Sequence, residues 1–308
     1  MSQVYFTQNT EAAVRLFSAA GFESTIAKDD PVALKIHFGE PGNNAYLKPD
    51  RVSPIAAKIK QLGGLPFWTD ANTLYNGQRN NNDAHLQTAR EHGYTPAKTG
   101  AETVIADEPG DQRGQELAVN YPHFKKLYVA ARVLTAKAMI VITHFKGHET
   151  TGFGGALKNI GMGLGSKLGK LKMHQDCQHC PEVKTCRKNQ TFDACWFGSP
   201  VLVQEKIAEY AAGIAAHFKG KIAYLNFITD VSPNCDCYPH NDPPVVPNLG
   251  IAASFDPVAL DQACVDLVNK AAGVDKFRAL WPAVDWSVQL AHAEKIGLGS
   301  RKYELVLK

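Results

Sequence analysis

Hydrophobic and polar positions alternate between helical and extended periods along most of the chain. Thr10 is a plausible cap for a helix over Glu11–Ala20, which Gly21 stops. Val32–Phe38 reads as a buried strand. Ser53 then caps a helix over Pro54–Leu62, with proline at its first position and Gly63-Gly64 at its end. Leu65–Thr69 is a short strand, Asn80–His92 a helix closed by Gly93, and Glu102–Ala106 an extended segment. The pattern predicts a helix over Pro122–Ala136, leading into strand Ala138–Thr143, whose Met, Ile and Val suit a central position. A glycine-rich segment, Gly147–Gly169, comes next. Farther on come an amphipathic helix over Pro200–Phe218 that ends at Gly220, strand Lys221–Thr229, and a Pro/Asn loop at 232–248. Asp256 caps a helix that has Pro257 first and runs to Ala271, and Tyr303–Leu307 adds a last strand.

Strands separated by helices predict an α/β fold, a largely parallel sheet flanked by helices, carrying a small cysteine-rich insertion. The expected division is an α/β region over 1–170 with the glycine-rich loop, a metal-binding insertion over 171–199, and residues 200–308 completing the same fold. In parallel sheets, ligands bind beyond the carboxyl ends of the strands. The polar loops 39–48, 70–79, 144–165 and 230–248 all come after predicted strands, so they should converge on one site. Lys35 and Asp70 lie at strand ends and are candidate ligand-binding residues. His37, Glu40, Asn72, Tyr75 and Arg79 share that kind of position.

Composition narrows the function classes. An apolar share of 44% with 20% charged residues describes a chain with a real core and excludes disorder or coiled coil. The 33 Lys and Arg against 30 Asp and Glu leave a net charge of +3, too balanced for a nucleic-acid partner or an acidic membrane surface. Met1–Arg15 carries Glu11 and polar residues where a secretory signal needs an apolar stretch. Arg132 and Lys137 interrupt the most apolar stretch, Leu127–Thr143, so no membrane span is expected and the cytoplasm is the expected compartment.

All seven cysteines lie in the second half, four of them as Cys177-x2-Cys180-x5-Cys186-x8-Cys195. In a reducing compartment such a cluster points to metal rather than disulfides. Four thiolates hold either one 4Fe–4S cluster or a tetrahedral zinc ion, and the spacing fits both. Cys195, beside Trp196 and Phe197, also reads as a core thiol.

Two further segments carry chemistry. His144-Phe-Lys-Gly-His148 leads into Gly152, Gly154, Gly155, Lys158 and Asn159. Glycines before a helix start near Ala156, together with the Lys158 charge, make an anion subsite; the plainer alternative is a tight turn against the sheet. The spacing is neither that of a phosphate loop nor that of a dinucleotide fingerprint. His144, His148 and Lys158 are the catalytic candidates, and Gly152, Gly154, Gly155 and Asn159 are the ligand-binding ones. Cys235-Asp-Cys237, with His240 and Asp242 nearby, offers a second metal or redox site or an incidental surface loop. Asp256 reads as a cap, Asp261 as solvated or as supporting the site, and Cys264 as core.

These residues resemble the domain of unknown function 362 family, the iron–sulfur cluster-associated group. The resemblance runs over Leu34–Glu40, Phe67–Tyr75, His144–Gly163, Gly169–His174, Cys235–Cys237 and Asp256–Ala263. Similar proteins carry a ferredoxin-like insertion at the place of Cys177–Cys195. Here it is short and departs from ferredoxin spacing, which implies at most one 4Fe–4S cluster, with zinc as the alternative. A fainter likeness links Gly152–Lys158 to the glycine–lysine segment of nickel-pincer lactate racemases, whose lysine tethers a cofactor. The cysteine cluster and the resemblance together imply an iron–sulfur protein with redox or metal-dependent activity. It would be an oxidoreductase acting on a small, anionic ligand, with an electron-transfer protein as partner. The alternatives are an isomerase or hydrolase with a structural zinc knuckle, and a metal carrier.

Overall fold

The computed structural model describes residues 1–308. Its strands are β1 (Ser2–Thr7), β2 (Pro31–Lys35), β3 (Leu65–Thr69), β4 (Glu102–Thr103), β5 (Gln115–Ala118), β6 (Lys126–Val129), β7 (Ala138–His144), β8 (Lys146–His148), β9 (Gly152–Gly154), β10 (Ile222–Ile228), β11 (Gly250–Ser254) and β12 (Tyr303–Leu307). Eight form one sheet in the order β12-β1-β11-β10-β7-β2-β3-β4, while β5 pairs with β6 and β8 with β9. Within the large sheet every pairing is parallel except the two that β11 makes, with β1 and β10. The fold is therefore α/β around a mostly parallel sheet. Strands from before and after the cysteine segment share that sheet.

Helices cover both faces, so the central strands are apolar throughout rather than alternating. Every residue of β7 and β10 is buried. Their side chains still alternate between two cores. Met139 and Val141 join a core beneath the helices Ala156–Leu164, Pro200–His217 and Pro257–Ala272. Ala138, Ile140 and Ile142 join the opposite one, beneath Ala13–Ala19 and Pro49–Gln61. Helix starts obey the expected chemistry where a polar cap precedes proline. Asp256 accepts from the Val258 and Ala259 amides, and Ser199 from that of Leu202.

Three expectations are corrected. The helix expected at Pro54 begins at Pro49, with Ser53 and Pro54 inside it; Pro49 already occupies the position that favours proline. The Pro122–Ala136 segment is not a helix. Residues 126–129 form β6, whose Leu127 and Val129 are buried, and Ala131–Thr135 is a 3-10 turn. Cross-strand pairing with β5, closed by the Tyr121 amide on the Phe124 carbonyl, outcompetes helical spacing there. The glycine-rich run resolves into β8, β9 and the helices Ala156–Leu164 and Lys167–His174. No helix is long and apolar enough to cross a membrane.

Candidate functional site

The loops after β2, β3, β7 and β10 do converge. They enclose a cavity of about 770 Å³ whose walls include His37, Asp70, Arg79, Lys146, His148, Lys158, Asn159, Cys235 and Cys237. The backbone joins two of these loops directly: the Gly147 amide donates to the Ser232 carbonyl at 2.8 Å. A Cβ on Gly147 would stand 2.1 Å from the Pro233 carbonyl oxygen, so only glycine permits this approach.

Cys235 and Cys237 both face the cavity, and the buried Asp236 between them turns the other way. Its carboxylate takes His144 Nδ1 at 2.9 Å and Lys146 Nζ at 3.1 Å. Burial opposes ionisation of Asp236, but His144 and Lys146 outweigh it and hold its carboxyl below the ordinary value. His144 Nε2 meets the carbonyls of Thr229 and Asp230 at 2.9 and 3.2 Å. With both ring nitrogens engaged by oxygen acceptors, His144 has no free nitrogen for a metal or a proton transfer. It anchors the Cys-Asp-Cys loop instead of entering the cavity.

His148 behaves differently. Its Nδ1 accepts from the amides of Thr150 and Thr151 at 3.1 and 3.3 Å, which leaves Nε2–H as its donor. That side chain lines the cavity together with Cys235. Lys158 Nζ lies 3.7 Å from Cys235 Sγ. The hydrogen bond from Cys237, followed by the Lys158 charge, His148 and Lys146, overcomes burial and draws the Cys235 thiol well below its usual range. The same bond, burial and the neighbouring thiolate push Cys237 up. The two thiols therefore titrate as a pair, in which the first negative charge is favoured on Cys235. Burial works against the Lys158 ammonium, but the charges of Cys235, Cys237 and Glu149 raise its pKa.

Beside the Cys-Asp-Cys loop, which the Glu40 amide meets at the Asp236 carbonyl at 2.9 Å, lies a buried ion network. Asp70 receives Lys35 Nζ at 2.9 Å and Arg79 at 3.3 Å, and Arg79 also bonds Glu40 at 2.9 Å. Lys35 lies behind the wall, where it also donates to Asn159 Oδ1 at 2.7 Å, so it positions Asp70 and Asn159 rather than touching a ligand. Asn159 is fixed further by donating to Ile142 O and Thr143 Oγ1.

The glycine segment departs from expectation. The amides of Ala156 and Leu157 are not free for an external anion: buried Asp261 accepts both, at 2.8 and 3.0 Å. Asn226 donates to the same carboxylate, whose pKa burial raises to about 6. Gly155 leaves room for that carboxylate, since a Cβ there would stand 2.3 Å from Asp261 Oδ1. Gly154 and Gly155 line the cavity, whereas Gly152, at φ +75°, packs against Trp286.

Among the lining residues that the sequence reading did not single out are Lys170 and His174, both on the Lys167–His174 helix. Lys170 donates to the carbonyls of Gly163 and Gly165, and burial lowers its pKa to about 8. His174 meets Trp196 edge-on, with ring centroids 4.5 Å apart, and burial holds its pKa at about 3.

Cys177, Cys180, Cys186 and Cys195 all line one small pocket, together with Val183 and Phe197. Four free thiols around a common space fit a thiolate-held metal centre. That pocket adjoins the main cavity, because His174 and Trp196 line the cavity while their neighbours Gln175 and Phe197 line the cysteine pocket.

Residues 32–266 match the family described as Domain of unknown function (DUF362). The chain belongs to that family. No curated protein is similar enough to this DUF362 chain to count as a match. Among solved structures it is similar to the lactate racemase apoprotein from Thermoanaerobacterium thermosaccharolyticum, at 15% identity and a TM-score of 0.43, covering 75% of this chain and 51% of that one. It is also similar to a Thermotoga maritima protein, at 12% identity and a TM-score of 0.40, covering 83% and 57%. The chain thus spans little more than half the length of either.

Proposed function

We propose that this DUF362 protein is a thiolate-dependent redox enzyme that acts on a small anionic ligand in the main cavity. The observation that carries the reading is the Cys235–Cys237 pair, both on the cavity wall with Lys158 and His148, and with Lys158 Nζ 3.7 Å from Cys235 Sγ. Such a pair can give up two electrons and one proton as it forms an S–S bond. It can equally hold a soft metal ion.

Lys158 and Lys170 supply the positive charge for the ligand, since neither has a carboxylate within ion-pair distance while Arg79 and Lys146 do. The anion is therefore held by side chains rather than by the helix amides that Asp261 occupies. With Nδ1 taken by the Thr150 and Thr151 amides, Nε2 is the nitrogen by which His148 can donate to the ligand, and Asn159 offers a fixed polar contact. Cys177, Cys180, Cys186 and Cys195 would hold a single 4Fe–4S cluster, which when bound supplies one-electron chemistry near the cavity wall formed by His174 and Trp196.

Anaerobic purification with iron, sulfide and zinc analysis tests this reading. The expected result is a brown protein with iron and sulfide, bleached by dithionite, whose iron content falls sharply in Cys180→Ser and stays unchanged in Cys235→Ser. A colourless wild-type protein with stoichiometric zinc in the four-cysteine pocket would overturn the iron–sulfur assignment.

A further inference from the structure

A second group of metal-capable side chains lies away from the cavity. His123 sits in the loop between β5 and β6, Glu205 and Glu209 lie one turn apart on the Pro200–His217 helix, and His292 lies on the Ser287–Lys295 helix. Ligand atoms of His123, Glu209 and His292 all lie within 4.8 Å of one another. The two imidazoles face each other at 5.7 Å between centroids, 32° from parallel. Glu205 reaches both, at 2.7 Å from His123 Nε2 and 3.7 Å from His292 Nδ1.

Charge decides what this arrangement suits. Glu209 is fully buried, and its ion-pair partner is His292, with Nε2 at 3.0 Å. Glu205 is likewise met by the two histidines, with no lysine or arginine on either carboxylate. A fully buried carboxylate with no permanent cation is expensive unless the imidazole beside it is protonated or a divalent ion sits there, and Glu205, 30% exposed, adds a second negative charge at the rim. Glu209 is also preset, because its oxygens accept the backbone amides of His123 and Phe124 at 3.1 Å. Outer hydrogen bonds of this sort fix ligating carboxylates in metal sites.

We infer that His123, Glu209 and His292, completed by Glu205, bind a divalent transition-metal ion of the zinc type, as two imidazoles and carboxylates favour. The ion would tie the β5–β6 hairpin to the two helices. It is independent of the thiolate chemistry proposed above.

Zinc titration calorimetry and zinc-dependent melting of the full chain test the site, comparing wild type with His123→Ala, His292→Gln and Cys180→Ser. His123 is partly exposed, so its replacement should leave the fold intact by circular dichroism. Both histidine variants should lose one equivalent of zinc and the zinc-induced rise in Tm, while Cys180→Ser keeps both features. Glu205→Gln should weaken that equivalent about 10- to 100-fold. Cobalt in Cys180→Ser should give weak visible bands that His123→Ala in the same background removes. The same zinc equivalents and the same rise in Tm in folded His123→Ala and His292→Gln as in wild type would overturn the inference.

Discussion

Lys158 Nζ lies 3.7 Å from Cys235 Sγ across 77 residues of sequence. One sits in the helix after β9, the other in the loop after β10. The contact therefore exists only because parallel strands deliver their trailing loops to the same edge of the sheet.

After the Cys237 hydrogen bond, this contact contributes most to favouring the thiolate at Cys235, which should therefore be the more reactive thiol. Its alkylation by iodoacetamide should stay fast well below the ordinary thiol pKa of about 8.5. Removing the cation in Lys158→Met disfavours the thiolate, so the midpoint of the rate–pH profile should rise. Cys237, where the negative charge is disfavoured, should react more slowly. Peptide mass spectrometry after timed alkylation reads both sites. Equal rates at Cys235 and Cys237, or a profile that Lys158→Met leaves in place, would refute the thiolate assignment.

Much of this site was legible because position in a parallel sheet is legible. His148, Lys158, Asn159, Asp70 and the two cysteines all sit on segments that come after strands, and the structure brings them together. The direction of a side chain, by contrast, is not encoded locally. His144 and His148 flank the same five-residue motif, yet one ring is consumed by Asp236 and the other lines the cavity with Cys235. Asp236 is only the residue between two cysteines in the sequence, although it is the buried anchor of the Cys-Asp-Cys turn. Asp261 reads as solvated or supporting, and it takes the helix amides that seemed free for a ligand. Lys170 and His174 lie just past the glycine-rich run, on a short helix whose inward face the sequence does not mark. His123, Glu209 and His292 share no spacing at all; only tertiary packing joins them.

Asp261 carries a pH signature. Burial raises its pKa from 3.8 to about 6, so the folded chain holds a proton there that the unfolded chain releases earlier. Its contribution to stability is complete below about pH 4 and is lost as pH rises through about 6. Asp261→Asn turns an amide group toward the Leu157 N–H and should cost about 1–3 kcal/mol. Urea unfolding between pH 4 and 7 should show wild-type stability declining relative to this variant. A difference between them that is flat in pH would remove the burial argument.

The cysteine segment should be the part of the chain that depends on its metal. Between Cys177 and Trp196 most side chains are exposed; Phe192, Ala194 and Cys195 pack, in part, onto Leu74, Tyr128, Leu168 and Leu171, and the half-exposed Trp196 meets His174. So small an apolar contact cannot hold a segment of this length by itself, whereas bonds from four thiolates to one centre can. The 44- and 28-residue cores on the two sheet faces contain none of the four cysteines and are large enough to fold without them. Hydrogen exchange on metal-loaded wild type and on Cys177→Ser/Cys180→Ser should therefore differ within 175–197 and at the adjoining cavity wall. Amides of β7 and β10 should remain protected in both. Exchange spreading into β7 or β10 would mean that the insertion supports the sheet, and unchanged exchange within 175–197 would mean that the thiolates hold nothing.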